Sequence, residues 1–299
     1  EKTEMVEMIM NGIYAPSNNF SIKGTQDVRY KVGRPVSQTT TMTAASQVGA
    51  QLEIPANGDL AGLLAQLTVT ATGTLTTPTK TTAAVTGISM SDKSGVAVWD
   101  GLNGTDLKYL QFWLGLRGKF QTMTDNTTAG ATNTLEVPCM VDSAQLPLKL
   151  TPTIGAFSTL AASGATGGTV TLALIPIYRD GITTTTNRVR KISTGVIAGT
   201  TGLNSSLPRD RRILALGVAY TSTYLTSVTL SRDGSPEILS YDLNSIKAHE
   251  YERFTDGTQA GFVLLEPFPI DVTDKTVLDW VSTTADTISI YEFMQDFPK

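Results

Sequence analysis

Only one cysteine, Cys139, and one histidine, His249, occur in 299 residues. A single cysteine excludes an intrachain disulfide framework. One cysteine and one histidine leave almost no room for a structural zinc site within the chain. Charge is also scarce, at 17% of residues, where about a quarter is usual for a soluble domain. So few charges solvate a surface weakly, which suits a protein covered largely by its neighbours. The net charge of -4 argues against a dedicated nucleic-acid binder, which is normally basic. No apolar run is long enough to span a bilayer, and Glu1 to Met10 lacks the basic and apolar regions of a signal peptide.

What is present is turn and strand chemistry. The chain has 26 glycines and 13 prolines, set among dense threonine and serine. Threonine favours strands, and glycine and proline favour the turns between them. The composition is that of a mostly β protein, long enough for one large domain or two ordinary ones with a core of their own.

The first segment differs from the rest. Met5, Met8 and Ile9 fall at helical spacing and Gly12 is placed to stop the helix. This reads as an arm that packs on a neighbouring subunit, with self-docking as the simpler alternative. Beyond it, alternation predicts strands over Phe20 to Val32, Gln51 to Ile54, Leu64 to Leu75, Thr169 to Tyr178, Leu225 to Leu230, Phe262 to Leu265 and Thr287 to Phe293. Asp233-Gly234 between alternating segments is a hairpin signal. The stretches Thr76 to Thr86, Thr122 to Thr134 and Gly155 to Gly168 read as loops or hairpin tips. Two short helices are expected, N-capped by Asp106 and Asp242, each followed by Leu-x-x-(Leu or Ile).

That matching pair points to an internal repeat. Ile54-Pro55 and Leu207-Pro208 each lead into an apolar strand. The two Asp-Leu helices follow. Leu135 to Asp142 then matches Leu265 to Asp271, and Ala173 to Tyr178 matches Ile288 to Tyr291. The landmarks keep their order, and the first half is longer because it carries the Thr-rich and Gly-rich stretches. Each helix interrupts a run of strands and does not alternate with them, which argues against parallel βαβ winding. The expectation is all-β: two tandem jelly rolls, each with one short flanking helix, at 15–180 and 181–299, after an N-terminal helical arm at 1–14.

In this order of elements, clearest from Tyr220 through the Asp-Gly hairpin, the Asp242 helix and the closing strand Ile288 to Phe293, the chain resembles the double jelly-roll major capsid proteins of corticoviruses, tectiviruses and adenoviruses. The size resembles the members from lipid-containing bacteriophages. The resemblance covers the architecture of nearly the whole chain and rests on no short diagnostic motif. It implies a homotrimer that forms a pseudo-hexagonal tile in an icosahedral virion. The implied partners are neighbouring trimers, minor capsid proteins such as penton or spike, and an internal viral membrane. It implies no cofactor, no catalytic residue and no specific nucleic acid. The alternative is a β-sandwich binding module such as a viral spike, an adhesin or a carbohydrate-binding protein.

Few residues invite a chemical role. His249 sits beside Glu250 late on the second expected helix, and no motif supplies it with a nucleophile. Cys139, between Pro138 and Met140, reads as a buried structural thiol. A glycosidase would need two carboxylates facing across a cleft; Glu53, Glu136, Asp142, Glu266 and Asp271 are carboxylates near strands. Two basic clusters stand out: Arg188, Arg190 and Lys191, then Arg209, Arg211 and Arg212. With Met5, Met8 and Ile9 these are the candidate subunit or membrane contacts. The competing reading of the clusters is a solvated face with Asp210 as local partner.

Overall fold

The structure is a computed structural model. It describes residues 30–73, 81–110, 132–139, 146–160, 165–179, 186–194, 201–204, 207–220, 225–232, 235–242, 244–245, 261–265, 270–272, 276–284 and 287–296. The described residues fall into two compact units, one ending at Thr186 and one starting at Asn187.

Unit 1 contains β1 (Tyr30–Val32), β2 (Val36–Thr41), β3 (Gln47–Val48), β4 (Leu52–Ile54), β5 (Asp59–Gly73), β6 (Val85–Ser91), β7 (Ala97–Leu102), β8 (Thr132–Cys139), β9 (Leu148–Ile154) and β10 (Ala165–Arg179). One sheet places β10 between β5 and the broken edge formed by β1 and β2, with β8 beyond β5. The other runs β7-β6-β9, with β3 and β4 both on β9. All these pairings are antiparallel. Along β5 and β10, residues of one parity (Leu67, Val69, Val170, Leu172, Leu174) are buried, which is the period of two expected when one face of a sheet covers a core.

Unit 2 contains β11 (Asn187–Thr194), β12 (Thr201–Asn204), β13 (Arg211–Ala219), β14 (Leu225–Arg232), β15 (Ser235–Asp242), β16 (Phe262–Leu265), β17 (Ile270–Asp271), β18 (Val277–Ser282) and β19 (Ile288–Asp296). Its first sheet places β19 between β11 and β13, with β16 and β17 beyond β13. Its second runs β12-β18-β14-β15. The core joins residues of both sheets, among them Leu216, Val218, Ile290, Val228, Leu230 and Trp280.

The two strand orders are the same. In each unit the last strand sits between the first strand and a long central strand (β10 beside β5, β19 beside β13), and the strand or strand pair β8 or β16/β17 lies outside. In each, the second sheet ends on a hairpin, β6-β7 or β14-β15. This is the jelly roll, repeated, and the ordered landmarks of the sequence are the trace of it.

The two expected helices lie only partly within the described residues. A single helical turn, Leu107–Leu110, follows β7, and only Asn244 and Ser245 are helical after β15 among the described residues. Helices of the expected length are not confirmed. Asp106 is not the N-cap. Asn103 has the extended backbone, and its side chain accepts from the Thr105 and Asp106 N–H groups, while Asp106 Oδ2 accepts from Asn103 N at 2.8 Å. Asp106 is therefore the return half of a capping box. Asp242 does accept from Ser245 N, at 2.7 Å, and that bond holds its carboxyl below the usual range.

Three stretches read as loops are partly strand. Thr132 to Thr134 open β8, Ala165 to Gly168 open β10, and Val85 and Thr86 open β6. The Asp-Gly hairpin closes as expected, with Arg232 opposite Ser235.

Candidate functional site

The two basic clusters, separate in sequence, flank one strand. Arg188, Arg190 and Lys191 lie on β11 and Arg211 and Arg212 on β13; β19 runs between them. Arg188 is only 5% exposed and grips Asp296 with two bonds, Nε to Oδ1 and Nη2 to Oδ2, both 2.7 Å. Arg211 Nε donates to the same carboxylate at 3.1 Å. Arg190 Nε donates to Glu292 Oε2 at 2.6 Å, and Arg212 Nε to Asp271 Oδ1 at 3.1 Å. Lys191 Nζ sits 5.7 Å from the centre of the Tyr291 ring, a cation–π distance. Asp210 lies 3.6 Å from Arg211, the longest of these ion pairs. Arg209 is exposed at the entry to β13.

The electrostatics divide the two carboxylates of β19. Burial pushes the Asp296 carboxyl up, but hydrogen bonds and charge from Arg188 and Arg211 outweigh it, and the net shift is downward. Glu292 has no exposed surface. Burial dominates there and raises its carboxyl, offset in part by Arg190. Its Oε1 has no hydrogen-bond partner. Chemically the arrangement clamps β11, β13, β17 and β19 together. Each of these four arginines has a carboxylate of its own chain beside it.

Met5, Met8, Ile9 and His249 lie outside the described residues. Cys139 is fully buried, its thiol pushed up by burial and aimed at Val137 O at 3.6 Å. Of the carboxylates weighed for a glycosidase, Glu53 is exposed on β4, Glu136 is bonded by Gln66, Asp271 is paired with Arg212, and Asp142 and Glu266 lie outside the described residues. Among the described residues no group of three or more His, Cys, Asp or Glu side chains is placed to hold a metal.

Sequence reasoning missed a second surface. On the outward face of the first sheet of unit 1, Thr41, Thr169 and Thr70 stand in register across three strands, and the β8 backbone at Thr132 continues the row opposite Thr70. The next row, one pleat along, is Thr39, Thr171, Thr68 and Thr134. Hydroxyls pair within that row, Thr39 with Thr171 at 2.7 Å and Thr68 with Thr134 at 2.9 Å. The following row is Ser37, Ala173, Gln66 and Glu136, in which Gln66 Nε2 donates to Glu136. The signal was a Thr-x-Thr triplet on each strand: 39–41, 68–70, 132–134 and 169–171. Two of these triplets sit in or beside stretches whose composition reads as loop.

No protein-family model matches the chain, and no curated protein does. Solved structures do. The STIV MCP crystal structure matches at a TM-score of 0.64 with 14% identity, covering 89% of this chain and 98% of that one. A chain of the atomic structure of Sulfolobus turreted icosahedral virus matches at 0.65 with 13% identity, covering 91% of each chain. PBCV-1 VP54, as fitted into a reconstruction of the virophage Sputnik, matches at 0.60 with 11% identity, covering 93% of this chain and 96% of that one. These neighbours are double jelly-roll major capsid proteins, and this chain has their fold, two jelly rolls in tandem.

Proposed function

We propose that this chain is a major capsid protein, located in the virion, whose copies associate as homotrimers and tile an icosahedral shell. The observation that carries the reading is the repeated jelly roll with one strand order in both units, in a chain with only 17% charged residues. Two similar barrels in each of three chains approximate a hexagon, the shape that tiles a closed shell. The protein is proposed to be structural and not an enzyme. Its interactions are with itself, with minor capsid proteins such as penton or spike, and with a membrane beneath the shell.

Light scattering and electron microscopy of the purified protein test this. Trimers, each contact burying well above about 1,000 Å², or closed shells are the expected result. A protein that stays monomeric at high concentration, and is found in no larger assembly in its native source, defeats the proposal.

The segment 1–14 is proposed as an arm reaching a neighbouring subunit, with the jelly rolls at 15–180 and 181–299. Deleting residues 1–12 should leave the thermal melt within a few degrees of wild type while shell yield falls severalfold. A deletion that unfolds the isolated protein means the arm docks on its own chain.

A further inference from the structure

We propose that Asn57 is a site of self-modification, at which the backbone nitrogen of Gly58 displaces the side-chain amide and an acid is left behind. The Gly58 N–H gives up its proton and its nitrogen attacks Asn57 Cγ. The bond from Cγ to the side-chain nitrogen breaks, ammonia leaves, and a five-membered succinimide closes. Water then opens either carbonyl of the ring, to aspartate or to isoaspartate, in which the main chain runs through the former side chain. Water is the only co-reactant. The reaction belongs to the single chain and does not depend on the shell-building reading.

The turn between β4 and β5 presents both partners. Asn57 and Gly58 are exposed there. Among the described residues neither the Asn57 side chain nor the Gly58 N–H has a hydrogen-bond partner, so nothing holds the carboxamide away from the nitrogen. Gly58 has φ +136, a backbone that other residues rarely adopt. The turn thus calls for the one residue without a Cβ to shield the attacking nitrogen.

The same dipeptide recurs in the opposite setting. Asn103 Oδ1 accepts from Thr105 N at 2.9 Å, Thr105 Oγ1 at 2.6 Å and Asp106 N at 3.2 Å. Gly104 is buried, and a Cβ there would lie 2.2 Å from the carbonyl oxygen of Thr82. Closing a ring at Asn103 means giving up the cap and moving packed backbone. The fold therefore shields one Asn-Gly pair and leaves the other open. Conversion at Asn57 places a negative charge two residues before Asp59. The isoaspartate form also lengthens the turn, whose start is held by the Tyr178 hydroxyl donating to Pro55 O at 2.8 Å.

The purified full chain, incubated at mildly alkaline pH in oxygen-18 water, tests this. Trypsin, cutting after Lys31, Lys80, Lys93 and Lys108, puts Asn57 and Asn103 in separate peptides, each with no other asparagine. Incorporated oxygen-18 marks conversion during the incubation. In the folded protein Asn57 should convert at least tenfold faster than Asn103, and in urea the two rates should converge. Equal rates in the folded protein, or faster conversion at Asn103, overturn the proposal. A rate ratio that persists in urea also overturns it, because neighbouring residues and not the fold would then set the difference.

Discussion

Asp296→Ala is expected to lower stability by about 2 kcal/mol at neutral pH, because it removes the acceptor of a buried arginine, a loss tempered by the 32% exposure of Asp296 itself. Asp296 is the shared acceptor of Arg188 and Arg211, two strands apart on either side of β19. Arg188, at 5% exposure, loses a bidentate partner it cannot replace with bulk water. Urea unfolding measures the loss. A change below 1 kcal/mol would mean that apolar packing alone holds β11 and β13 to β19.

The two carboxylates of β19 also give opposite pH dependences. The Asp296 carboxyl lies below its ordinary value when folded. Its contribution is therefore complete above the unfolded carboxylate range and is lost as pH falls through the folded value. The difference between wild type and Asp296→Ala should shrink in strong acid. Glu292 is raised by burial. Its charged form weighs against folding above the raised value, and that penalty disappears as pH falls into the ordinary range of glutamate. Relative to Glu292→Gln, wild type should gain stability on mild acidification, whereas the loss through Asp296 in stronger acid is common to both proteins and shows only against Asp296→Ala.

These partnerships mark the limit of what the chain discloses by itself. Alternation along one strand is a local property. It exposed β14, the central part of β10, and the closing strand with Ile288 and Ile290 buried on alternate positions. The repeat was legible because duplicated strand orders keep their landmarks in sequence, although no landmark is distinctive alone. Register is not local. Nothing near Arg188 or Arg190 in sequence points to Asp296 or Glu292, and the nearest carboxylate to Arg211, Asp210, is its weaker partner. The threonine face fails to show for the same reason. Each Thr-x-Thr triplet looks like any polar stretch until four strands bring the triplets side by side; 132–134 ends a threonine-rich stretch and 169–171 follows a glycine-, alanine- and serine-rich one, both of loop composition. The cap at Asn103 was missed differently. The apolar spacing from Leu107 predicts a helix that starts after Asp106, but a tight turn, Gly104–Asp106, precedes it and moves the cap three residues upstream.

That turn is also where the smallest side chain has the largest expected effect. A Cβ at Gly104 would lie 2.2 Å from the carbonyl oxygen of Thr82 and 3.1 Å from the Val85 side chain. The first obstacle is backbone, which no rotamer change removes. Thr81 and Thr82 are buried in the short 3-10 turn Thr81–Ala84, directly before β6, so displacing Thr82 pulls on a core strand whose Val85 is itself buried. Gly104→Ala is therefore expected to cost about 3 kcal/mol, the upper end for overpacking. Gly95→Ala is the control. Gly95 turns the β6-β7 hairpin at φ +79 with nothing within 4 Å of its missing Cβ. It carries the backbone penalty without the clash, about 1 kcal/mol. Urea unfolding of the two variants separates the terms. Equal losses would show that Thr82 yields freely and that the close approach of Gly104 is not what fixes the end of the β6-β7 hairpin.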